Sequence, residues 1–262
     1  MRSPAVPRID YDRIAHLYDE RARDHTVDEH LLRFLGRDAE LQASTRRILD
    51  VGCGTGKQLA ANRHQLPGLT MVGVDRFRNM LRAARRRCPE VAWVQGDGAS
   101  LPLLAQTCDY ATSQFSYQHV RNSQQLLKEL FRVLRPGGRF VMTNIDPWSM
   151  TGWALYRYFP EAWTLDQQDY LPVDQFVELM RDTGFRNVSA SRARPPSWPD
   201  LRAFLGFASE RHRASQLIAI SDEAYANGLR RLEQDVGRWS GDAATFTSEF
   251  VVVTIIGDKE RA

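Results

Sequence analysis

Short apolar runs alternate with amphipathic stretches along the first half of the chain. The runs predict strands at 48–51, 72–75, 91–97, 108–116 and 139–144. Before the last of these strands, residues 126–134 place their large apolar side chains on one face at helical spacing, and the Arg-Pro-Gly-Gly that follows ends this helix. Strands that alternate with helices predict an α/β fold built on a parallel sheet.

Three glycines at alternate positions follow the first predicted strand. Gly52, Gly54 and Gly56 allow the backbone to turn sharply and to approach a ligand closely at the start of a helix. The second predicted strand ends at Asp75, which in a βαβ unit lies beside the glycine turn and can accept hydrogen bonds from both hydroxyls of a ribose. The pattern therefore predicts a nucleoside-binding site.

The spacing of these glycines separates two classes of nucleotide ligand. Dinucleotide-binding folds use G-x-G-x-x-G and present helix N–H groups to a pyrophosphate. This chain has G-x-G-x-G, preceded by Asp50 at the mouth of the first strand. A carboxylate there would repel a pyrophosphate, whereas it suits a ligand that carries an ammonium group and a positive sulfonium.

Residues 49–56 closely resemble the first motif of the class I S-adenosylmethionine-dependent methyltransferases. Other segments resemble that family in order, over about residues 10–190: the acid Asp97 after the third strand, a Leu-Pro pair at 101–102, and Tyr-Gln-His-Val at 117–120 in the place of a frequent His-His-Val. The resemblance implies a Rossmann-like, mainly parallel seven-stranded sheet with helices on both faces and a helical lid. It also implies S-adenosylmethionine as the cofactor.

The expected cofactor-binding residues lie in the glycine loop, at the ends of the first four strands and on an N-terminal helix. In the family, the position of Asp97 meets the adenine amino group, and we expect Asp75 at the ribose. The full set is Tyr11, Tyr18, Asp50, Gly52, Gly54, Gly56, Asp75, Arg76, Met80, Asp97, Gly98 and Gln114.

Residues 9–20 resemble a lid helix that crosses the cofactor in many small-molecule methyltransferases. Tyr11 and Tyr18 share one face of this helix. Their side chains either contact the cofactor or pack the helix onto the core, and both alternatives stay open. Arg21 and Arg23 are candidates to reach the cofactor carboxylate, with an exposed surface position as the alternative.

Beyond the fifth strand the chain departs from a minimal α/β fold. We expect one domain with lid helices at 1–45, a cofactor-binding core at 46–194 with an aromatic-rich cap at about 147–171, a helical insertion at 195–245, and a last strand and tail at 246–262. Cap and insertion are expected to roof the carboxyl edge of the sheet and to enclose a partly apolar pocket. The alternative is that they only lengthen the core.

Methyl transfer requires that nucleophile, methyl carbon and leaving sulfur be aligned and that water be excluded. A base is needed only where the nucleophile must lose a proton. His119, which follows the fourth strand, is the first candidate for this catalytic role because an imidazole ordinarily titrates near neutral pH. Its alternative role is a hydrogen bond to backbone or cofactor. Tyr117, Asp146 and Tyr170 are further candidates.

Missing motifs narrow the acceptor. Residues 113–116 are Ser-Gln-Phe-Ser, not the Asn/Asp-Pro-Pro-Tyr/Phe loop of adenine or glutamine methylation, and no Pro-Cys nucleophile for cytosine stands there. We therefore expect a small organic acceptor, methylated on O, N or C, as in secondary metabolism. Two alternatives stay open: an RNA or protein methyltransferase that docks through the arginines at 76–87, and a cofactor-binding protein without catalysis.

Composition sets further limits. The 35 basic and 32 acidic residues nearly balance at a net charge of +3, which predicts no nucleic-acid partner. No apolar run of about 18 residues indicates a membrane span, and the N-terminus lacks the apolar stretch of a secretory signal. The three cysteines have no metal-binding spacing, so we expect no metal and a cytoplasmic protein with reduced thiols. No feature sets the oligomeric state.

Overall fold

The computed structural model describes residues 9–20, 25–36, 46–120, 122–238 and 246–261. Seven strands form one sheet in the order β3-β2-β1-β4-β5-β7-β6. Strands β1 to β5 pair in parallel, and β7 is antiparallel to both of its neighbours, which confirms the mainly parallel sheet expected from the sequence. The strands are β1 (Arg47–Val51), β2 (Thr70–Asp75), β3 (Ala92–Gln95), β4 (Cys108–Gln114), β5 (Leu134–Ile145), β6 (Arg186–Ala193) and β7 (Val252–Asp258).

Helices cover both faces of the sheet, and three of them (α3, α4 and α5) form the crossovers that parallel pairing requires. The helices before β5 are α1 (Tyr11–Glu20), α2 (Glu29–Leu35), α3 (Lys57–Gln65), α4 (Arg78–Arg87) and α5 (Ser123–Val133). Those after it are α6 (Ala154–Tyr158), α7 (Pro160–Asp169), α8 (Val173–Thr183), α9 (Leu201–Ala208), α10 (Ser215–Ala219) and α11 (Asp222–Arg238). Among the helices of the described residues, none is both long and apolar enough to cross a bilayer.

A hydrophobic layer packs against each face of the sheet. On one face, Leu31 of α2, Leu59 of α3 and Leu81 of α4 surround Ile48 of β1, and all four are fully buried. On the other face, α5 and α8 bury a second layer that includes Phe176 and continues into the cap. Each such leucine contributes about 1.5–3 kcal/mol of burial free energy, so this packing fixes the edge of the sheet that carries the site.

The strand order reverses at β1, which has β2 on one side and β4 on the other. In open α/β sheets such a switch point leaves a crevice at the carboxyl ends of the strands. Asp50, Asp75 and Gln114 lie at or next to these ends of β1, β2 and β4. The topology therefore places the three side chains at one edge.

Strand β5 begins at Leu134, earlier than the start at Arg139 that the sequence predicts. Pro136 and the glycines after it lie within this strand instead of in a loop. The register against β4 shifts just before Tyr110, which pairs with Arg139. Proline has no N–H to donate and Gly137 has a φ of +83°, so the segment forms an irregularity that the pattern of residue types did not reveal.

Strand β7 begins at Val252, whereas the sequence predicts the last strand from residue 246. Residues 246–251 carry no strand pairing, and the ring of Phe250 lies 5.4 Å from that of Trp153 in the cap. Packing against the aromatic cap thus overrides the β propensity of this apolar segment.

Helices α9, α10 and α11 occupy the described part of 195–245 and pack on α6 and α7. The ring of Phe204 in α9 is 5.8 Å from that of Tyr158 in α6. Helix α11 begins with an N-cap, because the N–H of Ala224 donates to the hydroxyl of Ser221 at 3.2 Å. The insertion therefore lies over the cap and not beside the sheet.

Candidate functional site

A cavity of about 890 Å³ opens at the carboxyl ends of β1, β2 and β4. Its walls come from the glycine loop and strand ends, from α1, and from the cap and insertion. Tyr11 contributes from α1, Trp153 from the cap and Trp198 from the segment before α9. The volume lies within the range of about 300–1,000 Å³ that is usual for small-molecule sites.

The glycine loop between β1 and α3 has left-handed backbone at all three glycines, with φ of +77° at Gly52, +53° at Gly54 and +75° at Gly56. A Cβ at Gly52 would lie 2.3 Å from that of Ser116, and one at Gly56 would lie 2.5 Å from the ring of Trp93. At Gly54 a Cβ would meet no atom within 4 Å. The loop is therefore packed from behind at two glycines and open to the cavity at the middle one.

Asp75 at the end of β2 braces this loop. Its Oδ2 accepts a hydrogen bond from the N–H of Gly54 and its Oδ1 accepts one from the N–H of Phe77, both at 2.9 Å. Burial raises the pKa of Asp75, and these two N–H donors oppose that effect. Each carboxylate oxygen keeps a lone pair for a ligand hydroxyl.

Asp50 is 3% exposed and borders the same cavity. Its burial, together with nearby Asp28 and Asp75, raises its pKa to about 8. Its Oδ1 has no hydrogen-bond partner in the described part of the chain. An orphaned acidic oxygen beside a second carboxyl group fits a ligand that brings a positive charge and hydrogen-bond donors, as S-adenosylmethionine does.

The remaining expected cofactor residues sit around this centre. Asp97 follows β3, and its Oδ1 accepts a hydrogen bond from the N–H of Ala99 at 2.9 Å. Met80 is 2% exposed at the start of α4. The structure brings together around one cavity Tyr11, Asp50, Gly52, Gly54, Asp75, Arg76, Met80, Asp97, Gly98, Gln114 and His119. Arg21, Arg23 and the side chain of Tyr18 lie outside the described residues.

His119 lies on a short 3₁₀ turn after β4, where desolvation and nearby Arg76 lower its pKa to about 4. The Tyr11 hydroxyl is 2.9 Å from its Nε2, and the Gln118 side-chain nitrogen is 3.2 Å from the same atom. The other end of the Gln118 amide accepts from Nδ2 of Asn144 at 2.7 Å, which fixes its nitrogen as a donor. We therefore assign neutral His119 as acceptor at Nε2, with its proton on Nδ1.

Helix α1 is held along the cavity by a second contact. Oδ1 of Asp12 accepts the N–H of Asn79 at 2.6 Å, and the carbonyl of Asp12 accepts the Asn79 side-chain N–H at 3.0 Å. Helix α4 has no side-chain cap of its own, because Phe77 occupies its N-cap position. Asp12 thus supplies from α1 the acceptor that the first turn of α4 lacks.

Aromatic side chains line the end of the cavity away from the glycine loop. The rings of Trp153 and Trp198 are stacked at 13°, with centroids 6.1 Å apart, and Phe207 lies 4.9 Å from Trp198. Tyr170 and Phe250 extend this wall. The partly apolar pocket that the sequence predicts under cap and insertion is present.

The other candidate bases are poorly placed for proton abstraction. Burial raises the pKa of Tyr117 and of Tyr170, so both stay neutral phenols near pH 7. Asp146 is 1% exposed, and its Oδ2 accepts from the Ser149 hydroxyl at 2.6 Å and from Nε of Arg192 at 2.7 Å. Asp146 is not among the described residues that line the cavity.

Several residues at the cavity were not singled out from the sequence. Asn144, one residue before the end of β5, holds the Gln118 side chain of the lining, and a polar residue in that apolar run was an available signal. Gln118 follows the fourth strand beside His119 and offered the same signal. Trp198 and Gln216 come from the insertion, where only tertiary packing decides which side chains reach the cavity.

Comparisons with known proteins agree with this geometry. Residues 49–142 match the family model described as a methyltransferase domain. The ubiquinone/menaquinone biosynthesis C-methyltransferase of Syntrophotalea carbinolica is 31% identical over 207 residues, which cover 68% of this chain and 85% of that protein.

Two solved structures show the same fold. A protein assigned as a methyltransferase of an antibiotic biosynthesis pathway in Anabaena variabilis has a TM-score of 0.69 at 22% identity, covering 89% of this chain and 99% of that one. Phosphoethanolamine N-methyltransferase 2 of Haemonchus contortus, in complex with S-adenosyl-L-methionine, has a TM-score of 0.62 at 20% identity, covering 95% of this chain and 57% of that one.

Proposed function

This chain belongs to the class I S-adenosylmethionine-dependent methyltransferases, and on that premise we propose that it methylates a small, uncharged organic molecule. The observation that carries the proposal is that one cavity is lined by two kinds of group. Buried carboxyl groups line the part at the glycine loop, which we call the nucleoside end, and Trp153, Trp198 and Phe207 line the part under the cap and insertion, which we call the acceptor end. A cationic nucleoside suits the first end and an apolar acceptor suits the second.

We propose that different residues bind different groups of the cofactor. When bound, S-adenosylmethionine supplies a methyl carbon that its positive sulfonium makes electrophilic. We assign Asp75 to the ribose hydroxyls, Asp97 to the adenine amino group and Asp50 to the ammonium group. The residues proposed to line the cofactor beside these acids are Tyr11, Tyr18, Gly52, Gly54, Arg76, Met80, Gly98 and Gln114, with Gly56 shaping the loop from behind.

In this proposal the protein aligns the acceptor with the methyl group of the cofactor and excludes water from the cavity. Tyr11 of α1 and the aromatic wall both line the cavity, so an acceptor held there meets the cofactor in one orientation. Such positioning supplies on the order of 7 kcal/mol in favourable cases. An amine or electron-rich carbon would need little more than this from the protein.

His119 is the proposed proton acceptor where the nucleophile is a hydroxyl. Tyr11 and His119 both line the cavity, and the Tyr11 hydroxyl is 2.9 Å from Nε2 of His119. In this proposal the acceptor proton passes to the oxygen of Tyr11 as the hydrogen of Tyr11 passes to Nε2. With a pKa of about 4, His119 is neutral at pH 7 and a weaker base than an ordinary imidazole, so it accepts the proton only as the hydroxyl attacks the methyl carbon. It also holds Tyr11 in place.

A small molecule is favoured over RNA as the acceptor. Two arginines of α4 bond to the chain itself: Arg85 donates to the carbonyl of Trp93 at 2.8 Å, and Arg87 donates to that of Thr55 at 3.1 Å. These two therefore contribute to packing, which leaves a smaller free basic surface on α4. We propose no nucleic-acid or membrane partner.

A cytoplasmic location is supported by three buried free thiols, those of Cys53, Cys88 and Cys108.

Labelled methyl groups test this proposal. Purified protein is incubated with methyl-labelled S-adenosylmethionine and cell extract, and the extract is separated into small-molecule, RNA and protein fractions. We expect label in the small-molecule fraction, and none when Asp75→Ala replaces the wild type. Label in RNA or protein would contradict the acceptor class. Cofactor binding without turnover would instead favour a non-catalytic binding protein.

A further inference from the structure

Charge is distributed unevenly along the cavity. At the nucleoside end, Asp50 and Asp75 are buried carboxyl groups. The ionisable residues that the insertion adds to the lining pair with one another: Arg213 is 2.7 Å from Glu210, and His212 is 3.6 Å from the same carboxylate. The insertion therefore adds little net charge to the cavity, which suits a neutral acceptor.

The side chain of Gln216 on α10 is one of the uncharged polar groups that the cap and insertion add to the lining. It is 8% exposed, comes from the insertion and borders the cavity. A buried amide costs free energy unless its hydrogen bonds are satisfied. The bonds that Gln216 makes therefore show how its side chain is oriented.

Two bonds fix the orientation of the Gln216 amide. Its Nε2 donates to Oδ2 of Asp166 at 3.1 Å, and its Oε1 accepts from the Ser215 hydroxyl at 3.1 Å. Asp166 is 7% exposed and also accepts from the Tyr156 hydroxyl at 2.7 Å, which anchors this carboxylate in the cap. The amide is therefore held with its nitrogen toward Asp166.

After these bonds Gln216 retains one N–H and one oxygen lone pair. A carboxylate would satisfy only the N–H, and an ammonium group would satisfy only the lone pair. A hydroxyl both accepts and donates, so it alone among these three satisfies both. Trp153, Trp198 and Phe207 line the same cavity and accommodate the ring that carries the hydroxyl.

We infer that Gln216 is a specificity-determining residue that binds a neutral hydroxyl group on a ring-shaped methyl acceptor, an inference that rests on the proposed function. Asp166 and Tyr156 are positioning residues that hold the amide in this orientation. The hydroxyl so bound is an anchor of the acceptor, and the methylated atom lies toward the cofactor.

Three probes of one shape test the inference: 2-naphthol, naphthalene and 2-naphthoate. Binding is measured by equilibrium dialysis to protein saturated with S-adenosylhomocysteine, which has no methyl group to transfer. We expect wild type to bind 2-naphthol about tenfold more tightly than naphthalene, the worth of about one buried hydrogen bond. Gln216→Leu removes this preference and leaves the naphthalene affinity unchanged. The exposed Gln124→Leu serves as the matched control and keeps the wild-type preference.

Several results would overturn the inference. They are the same preference for 2-naphthol in Gln216→Leu, tighter binding of 2-naphthoate than of 2-naphthol, and no binding of any probe to protein that binds S-adenosylhomocysteine. Calorimetry of S-adenosylhomocysteine alone separates this from failure of the proposed function. A wild-type protein that does not bind S-adenosylhomocysteine would contradict the proposed function. A wild-type protein that binds it, but whose affinities for the three probes rank differently from the expectation, contradicts only the role of Gln216.

Discussion

Asp75 braces a backbone turn and is the proposed ribose ligand: each of its oxygens accepts one N–H bond of the loop region and keeps a lone pair for a hydroxyl. Asp75→Ala is expected to weaken S-adenosylhomocysteine binding at least ~10-fold, since it removes charge-assisted acceptors for the ribose and a brace of the glycine loop. Calorimetric titration measures this, with a thermal melt to show that the variant is folded. Asp174→Ala, which changes an exposed acid on α8, is the control. Equal affinities of Asp75→Ala and wild type would refute the assignment.

Asp50 is expected to make cofactor affinity depend on pH. With a pKa of about 8 the carboxyl group is protonated in the free protein below that pH, and a cationic ligand favours its ionised form. Affinity should therefore fall as pH falls below 8, by up to about tenfold per unit. The measured quantity is the ratio of wild-type to Asp50→Asn dissociation constants between pH 6 and 9, which cancels titration of the ligand itself. A ratio that does not change with pH would contradict a role for the ionised carboxylate.

His119 can be tested by separating turnover from binding. His119→Ala is expected to lower kcat by about 100-fold, in the range of lost acid–base catalysis, while the cofactor dissociation constant changes little. Exposed His64→Ala is the control. Equal losses in turnover and cofactor affinity would make His119 a cofactor contact instead.

The lowered pKa of His119 also predicts a pH dependence of folding stability. Its folded value of about 4 lies below the ordinary 6.5, so the unfolded chain binds the extra proton between these values. The stability of wild type relative to His119→Ala should therefore rise from pH 4 to 6.5 and stay constant above. Urea unfolding at several pH values measures this difference, and a fall over the same window would contradict the assignment of a neutral imidazole.

Helix α11 packs so closely on the cap that one glycine decides the fit. A Cβ at Gly228 would lie 2.3 Å from the ring of Phe159 and 2.8 Å from the carbonyl of Tyr158. Gly228→Ala is expected to destabilise the protein by about 1–3 kcal/mol through overpacking. Gly237→Ala, in the same helix with open space around it, is expected to be neutral or to stabilise by up to about 1 kcal/mol. Denaturant unfolding of both variants tests this, and equal effects would contradict the packing described for α11.

Regular elements and irregular ones differ in how far the sequence predicts them. Helix α5 (Ser123–Val133) contains all but the last residue of the helix that apolar spacing predicts at 126–134. The predicted starts of β5 and β7 were wrong. An irregularity in pairing decides where β5 begins, and contacts with the aromatic cap decide where β7 begins. Local residue type carries neither kind of information.

In the candidate site, too, some residues could be predicted from local sequence and others could not. Asp50, Asp75 and the glycine loop were predicted because a βαβ unit fixes their relation within one stretch of sequence. Trp198 and Gln216 reach the cavity only because a separate group of helices folds over the sheet edge. The nucleoside end could thus be predicted from the chain, whereas the acceptor end required the tertiary fold.

The whole molecule joins these two ends in one cavity, and a crystal structure with S-adenosylhomocysteine tests that claim most directly. We predict that the ligand occupies the cavity over the ends of β1, β2 and β4, with its ribose hydroxyls within hydrogen-bond distance of Asp75 and its sulfur directed toward Trp153 and Tyr170. A saturated crystal in which this cavity is empty, or in which the ribose lies away from Asp75, would contradict the account.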